Sequence, residues 1–282
     1  MTSPIDGELW RDARRLHYVA WTRADRRAAQ PPIVLLHGLG SNARYWDRIA
    51  AELGQWRLVA LDLTPDDPEH AAMDALVDDI TFAISQLDLQ RPVLVGHSWG
   101  AGLALEYAVR RPATVSGIVF VDGPMDGVAS IFSWDEVEAI MQPPFPRYAS
   151  LEDAIAHTKA ALGAAWGDDL VPFVEGGLKR VDGGLVPVLT AAVRHRLLRG
   201  LYDSNPEQLW PRLEMPATAL VARKSDAKIS RSTETGIERV TNIAPALRIR
   251  RFETPHDIPL YAPAGVAEEI ERIARQAAVV SA

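Results

Sequence analysis

Ser98 stands in the pentapeptide Gly96-His97-Ser98-Trp99-Gly100, between the apolar run Arg91-Pro92-Val93-Leu94-Val95 and the stretch Ala101 to Arg110. A serine hydroxyl is a weak nucleophile near neutral pH. It becomes a strong one when a general base takes its proton and an acid orients that base. The run before the pentapeptide reads as a buried parallel strand, and the stretch after it reads as a helix. The serine therefore occupies a sharp strand-to-helix turn, which lifts its hydroxyl clear of the sheet. Glycine at both ends avoids collision with neighbouring backbone, and the helix N-terminal amides face the reaction site. The five-residue pattern is weak by itself, so its setting carries the reading.

The base should be a histidine on a loop after a strand. Of the seven histidines, His17 lies within a strand, His70 at a helix start, and His157 and His195 in a region without buried strands. His37 precedes a glycine and reads as a structural hydrogen-bonding residue. His97 adjoins Ser98, and its side chain should point across the turn. His256 directly follows the last expected strand, in Thr254-Pro255-His256-Asp257-Ile258-Pro259, at the carboxyl edge where ligands gather in open α/β sheets. His256 is the expected base. Two carboxylates compete for the acid: Asp226 in Arg223-Lys224-Ser225-Asp226, after the strand Ala217 to Ala222, and Asp122, after Val115 to Val121. We take Asp226 as the acid and keep Asp122 as the alternative, because Asp122-Gly123-Pro124 is also strong turn chemistry. Asp257 is adjacent to the histidine and reads as a loop-structuring residue. Acyl transfer also needs donors aimed at the developing oxyanion. The backbone N–H groups of Trp99 and Leu39 are the candidates, with Gly38 beside the latter letting the backbone approach a substrate.

The elements that must position these groups alternate along the chain. Strands are expected at Leu16 to Thr22, Ile33 to Leu36, Arg57 to Leu61, Pro92 to Val95, Val115 to Val121, Ala217 to Ala222 and Leu247 to Phe252. A charged turn is expected at Arg23 to Arg27. Helices are expected at Arg44 to Leu53, Met73 to Leu87, after the elbow, at Ser230 to Ile243 and at Ala264 to Ala278. Strands alternating with helices imply a parallel sheet covered on both faces. From Met125 to about Tyr202 the rhythm changes to helical stretches with Pro143-Pro144-Phe145-Pro146 and no clear buried strand. The expected organisation is a core of residues 1–124 and 203–282 with a mainly helical insertion, 125–202, over the sheet's carboxyl edge.

With 282 residues, 48% of them hydrophobic, the chain can bury a full core. A net charge of −7 leaves no electrostatic footprint for nucleic acid or an anionic membrane. The absence of cysteine removes disulfides, thiolate metal sites and a cysteine nucleophile. The first ten residues carry Asp6 and Glu8 and no apolar h-region, and no apolar run reaches the length of a membrane span. The expectation is a soluble, cytoplasmic protein.

His37-Gly38 after the third strand, Gly96-His97-Ser98-Trp99-Gly100 at the elbow and His256 after the last strand resemble the α/β-hydrolase superfamily over nearly the whole chain. That resemblance implies a mostly parallel eight-stranded sheet flanked by helices, with a helical cap inserted after strand 6. It also implies a serine acyl-enzyme mechanism without a cofactor. Taking Asp226 reproduces the family's chain order of serine, acid and histidine. Related haloalkane dehalogenases and epoxide hydrolases place an aspartate at the elbow, whereas this chain has Ser98. The elbow is similar to that of proline iminopeptidases. Many relatives, however, carry Asp-x-x-Gly-x-Gly-x-Ser after the fourth strand, and here Asp62 is followed by Leu63-Thr64-Pro65-Asp66-Asp67-Pro68.

Trp46, Trp99, Trp134, Phe145 and Trp166 are candidates to line a pocket for an apolar acyl or alcohol group. The acidic residues Asp135, Glu136, Glu138, Glu152 and Asp153 read as a solvated helix face. The function expected is hydrolysis of a small or medium apolar ester or lactone. Cleavage of a carbon–carbon bond, perhydrolysis and a ligand-sensing role with slow turnover are the alternatives.

Overall fold

The computed structural model describes residues 4–12, 14–21 and 30–280. Two antiparallel strands open the chain, β1 (Ile5–Arg11) and β2 (Arg14–Trp21). Six parallel strands then enter in turn: β3 (Ile33–Leu36), β4 (Leu58–Leu61), β5 (Val93–His97), β6 (Gly117–Val121), then later β9 (Ala217–Ala222) and β10 (Arg248–Phe252). Their spatial order, β1-β2-β4-β3-β5-β6-β9-β10, makes one eight-stranded sheet. Helices α1 (Asp47–Glu52), α2 (Met73–Gln86) and α3 (Trp99–Arg110) connect β3 through β6. Helices α9 (Ala227–Ile243), α10 (Ile258–Tyr261) and α11 (Pro263–Val280) complete the flanking layers.

Every residue of β3, β4, β5, β6 and β9 is buried, as the unbroken apolar runs require of strands covered on both faces. One core layer includes Leu94, Phe120, Trp99 and Trp210; the other includes Leu35, Val95, Trp46 and Ile270. The expected α/β architecture is therefore present, with one strand more than the sequence pattern marks. β1 was not anticipated, because Ile-Asp-Gly-Glu-Leu-Trp-Arg is largely exposed and lacks a continuous apolar face. The charged turn expected at Arg23 to Arg27 lies outside the described residues, as does Thr22.

Residues 125–202 join β6 to the short helix that precedes β9. They hold α4 (Trp134–Met141), α5 (Leu151–Leu162), α6 (Val171–Gly176) and α7 (Ala191–Asp203). α8 (Pro206–Leu209) follows. They also contain a small, mostly unburied hairpin, β7 (Leu178–Val181) and β8 (Gly184–Pro187), within a segment expected to be mainly helical. Glu136 and Asp153, expected on a solvated face, close capping boxes with Ser133 and Ser150 at the starts of α4 and α5. The segment packs on the loop after β3 and on α1: Asn42 Nδ2 donates to Phe173 O at 2.9 Å, and Arg48 of α1 reaches Asp169 and Ala165 O.

Candidate active site

β5 runs to His97, and the chain turns at Ser98 with φ 54° and ψ −118° before α3 begins at Trp99. A non-glycine residue with positive φ is strained, so the surroundings must hold it. A β-carbon on Gly96 would sit 2.2 Å from Gly100 O, and one on Gly100 would sit 2.4 Å from Leu36 O. Glycine at both positions is thus a packing requirement. Ser98 N–H donates to Val121 O at 2.9 Å, tying the turn to β6. Ser98 remains half-buried at the carboxyl edge.

His256 lies on the loop between β10 and α10, its side chain half exposed. Its ring centroid is 4.7 Å from that of His97, the neighbour of Ser98. Its Nδ1 pairs with Asp122 Oδ2 at 2.5 Å. Asp122 directly follows β6 with φ 52°, and only 2% of its side chain is exposed. Asp122 Oδ1 also accepts from Ala222 N at 2.9 Å, and Lys224 Nζ donates to both oxygens at 2.5 Å. Burial alone would raise this carboxyl. The His256 hydrogen bond and the Lys224 cation outweigh it and hold it down at about 2. An ionised carboxylate can only accept, so His256 Nδ1 carries the proton and Nε2 presents its lone pair. Among the described residues, no hydrogen bond joins Ser98 Oγ to that ring. In unliganded sites such bonds commonly close only when substrate binds.

Asp226 is elsewhere. Its Oδ1 accepts from Lys228 N at 2.8 Å and Ile229 N at 2.9 Å, capping α9, and the residue is exposed. The acid that meets His256 is the alternative, Asp122. The reason is the helix boundary: α9 begins at Ala227, three residues earlier than expected, so Asp226 is an N-cap rather than a strand-end side chain.

Three further groups brace the loops. His37 Nε2 accepts from Leu63 N at 3.0 Å, which makes Nδ1–H the donor to Gly38 O at 2.7 Å. Burial lowers the His37 pKa and keeps the ring neutral. Because the C=O and N–H of a trans peptide point in opposite directions, pinning Gly38 O turns the Leu39 N–H the other way. Among the described residues that N–H has no hydrogen-bond partner. Trp99 N–H opens α3, where first-turn amides have no intrahelical acceptor. A β-carbon on Gly38 would lie 3.5 Å from Ser98 Cβ, which places this loop directly against the serine. His97 is fully enclosed, stacked at 4.9 Å on Tyr45, and its Nε2–H donates to His256 O at 3.1 Å. Burial, with His256 nearby, takes its pKa down to about 3. Tyr45 OH donates to Asp257 Oδ1 at 3.1 Å, so Asp257 does structure the loop, as expected.

The proposed pocket aromatics scatter. Trp46 is fully buried in the core layer with Ile49 and Trp56, and Trp166 packs on that same layer. Trp99 is buried in the opposite layer with Leu105. Trp134 meets His195 and Tyr202 edge-on at 5.5 and 5.4 Å, and Phe145 lies under the Arg194 guanidinium at 3.8 Å. These aromatics are occupied in packing, and of the substrate-side candidates it is Gly38 whose position an added β-carbon would bring to Ser98. Sequence reasoning passed over Lys224 and Tyr45. The available signal for Lys224 was a cation two residues past a fully buried strand.

Among the described residues, no helix is long and apolar enough to cross a membrane. A family profile described as "Alpha/beta hydrolase family" matches residues 33–269. Epoxide hydrolase 3 of Xenopus tropicalis is 36% identical over 118 residues, covering 39% of this chain and 31% of that protein. The chain spans about a third of the length of the first curated relatives it matches. The crystal structure of E-2-(acetamidomethylene)succinate hydrolase superimposes with a TM-score of 0.80 at 20% identity, covering 96% of this chain and 99% of that one. The thioesterase domain from the curacin biosynthetic pathway superimposes with a TM-score of 0.77 at 17% identity, covering 96% and 100%. At those identities the likeness is one of fold.

Proposed function

Since the chain belongs to the alpha/beta hydrolase family, we propose that it is a serine hydrolase that cleaves a small or medium apolar carboxylic ester or lactone. The observation that carries this reading is the His256–Asp122 pair, 2.5 Å apart, at the same sheet edge as a serine held on a strained elbow. Asp122 fixes the tautomer that leaves Nε2 free to act as base. Ser98 Oγ attacks the acyl carbon while its proton passes to His256 Nε2. The oxyanion is met by the N–H groups of Leu39 and Trp99. His256 then returns the proton to the leaving alkoxide, and water repeats the sequence on the acyl-enzyme. Residues 125–202 act as a cap that shields the acyl group.

The test is intact mass after exposure to a fluorophosphonate, wild type against Ser98→Ala. One adduct on wild type and none on the variant is the expected result, followed by turnover of short esters or lactones. Labelling without ester turnover would point instead to carbon–carbon cleavage or perhydrolysis by the same groups. Folded wild type that takes no label would reject the serine mechanism.

A further inference from the structure

Lys224 enters the site from the loop after β9 with its side chain largely buried, 17% exposed, and its Nζ lies 2.5 Å from both oxygens of Asp122. Asp122 is thereby shared. Its carboxylate serves His256 through Oδ2, Ala222 N–H through Oδ1, and Lys224 through both. Building on the hydrolase reading, we propose that Lys224 is a positioning residue that sets the basicity of His256 through the Asp122 carboxylate they share.

First, three donors from different elements leave the Asp122 carboxylate no freedom to rotate, so Oδ2 always faces the imidazole. Secondly, a lone buried carboxylate would strongly favour the imidazolium, whereas a carboxylate already matched by a lysine presents a nearly neutral pair. Lys224 thus offsets part of the Asp122 charge that would otherwise stabilise the imidazolium. The other groups around His256 do not supply this balance. His97, from β5, is neutral and touches the loop through the His256 carbonyl. Asp257 is engaged by Tyr45 from the loop after β3. Arg223, beside Lys224 in the chain, is directed to Glu253 at 3.9 Å. Among the described residues, Lys224 is the one lysine or arginine in contact with Asp122.

The experiment follows the His256 ring by NMR through a pH titration of the full chain, in wild type, K224M, K224Q and K224R. Alongside it runs the pH profile of kcat/KM on p-nitrophenyl butyrate. K224M and K224Q should move the ring's titration midpoint, and the acidic limb of kcat/KM, up by about one pH unit, while K224R stays with wild type. On the acidic side that shift reads as roughly a tenfold loss of kcat/KM. A lysine that merely braces the loop would lower stability in K224M and leave both midpoints in place, and that result overturns the inference. Two outcomes keep it apart from the hydrolase reading. An unshifted midpoint in a protein that fluorophosphonate labels at Ser98 rejects the role of Lys224 alone. A shifted midpoint in a protein that takes no label upholds the Lys224–Asp122–His256 coupling and rejects the serine mechanism.

Discussion

In the proposed mechanism Ser98 and His256 serve the same proton-coupled attack, so the losses on removing them should not add. Ser98→Ala and His256→Ala are each expected to lower kcat by about 10³-fold or more, and the double variant should fall little further. Steady-state kinetics on a labelled-competent ester checks this. The two aspartates separate more sharply. Asp122→Asn should cost on the order of 10⁴ in kcat, because an amide no longer holds the base's tautomer. Asp226→Ala should leave kcat/KM within about twofold of wild type and cost about 1 kcal/mol of stability through the lost α9 cap, read by urea denaturation. Asp122 also links stability to pH. Its folded pKa is depressed, so its contribution is fully present above the unfolded carboxylate range near pH 4 and is lost as pH falls toward about 2. The contribution is on the order of 2 kcal/mol, and denaturation of wild type against Asp122→Asn across that window measures it. Ser98 and His256 were legible because each depends on a local pattern, an elbow and a strand end. The choice between Asp122 and Asp226 was not legible, because it turned on where a helix starts, and helix ends are the least certain feature of a sequence.

The elbow's glycines test the packing argument at the level of single elements. Gly96→Ala and Gly100→Ala each drive a methyl group into backbone, so each should destabilise by roughly 3 kcal/mol or more or abolish folding. Gly102, in the interior of α3, is the internal control: nothing lies within 4 Å of an added β-carbon there. Gly102→Ala should therefore stabilise by about 0.5–1 kcal/mol and raise Tm in a thermal melt. Elements with strong one-dimensional signals were readable, as β3 to β6 and β9 show with their continuous burial. β1 and the β7–β8 pair were not, for opposite reasons. β1 is held by pairing along β2 rather than by burying an apolar face. The β7–β8 pair carries a clear turn signal, Asp182-Gly183, but its strands are four residues long and mostly unburied, so hydrophobic alternation never develops.

At the scale of the whole molecule, Arg48 connects three regions. Its guanidinium pairs with Asp169 at 2.6 and 2.9 Å, and Nη1 donates to Ala165 O and to Leu260 O. The first two partners belong to the inserted segment, and the third follows the loop that bears His256. Arg48→Ala should expose residues 163–176 to faster limited proteolysis than wild type, while β5 and α3 stay protected, which mass mapping of early fragments would show. β10 presents Arg248, Arg250 and Arg251, each paired with glutamate from α11 or α9. Such a charged, occupied border discourages another strand from docking there.

Serine and acid occupy the ends of adjacent strands, with His97 opposite Val121 in the β5–β6 ladder, and both precede residue 125. The histidine arrives only after the inserted segment has been traversed. The spacing between Ser98 and Asp122 is thus written into one backbone ladder that residues 125–202 do not interrupt. An engineer could exchange residues 125–202 for a segment of different length and still inherit two of the three groups already in register. Recombination along this chain would then alter what the site admits without having to reinvent how it reacts.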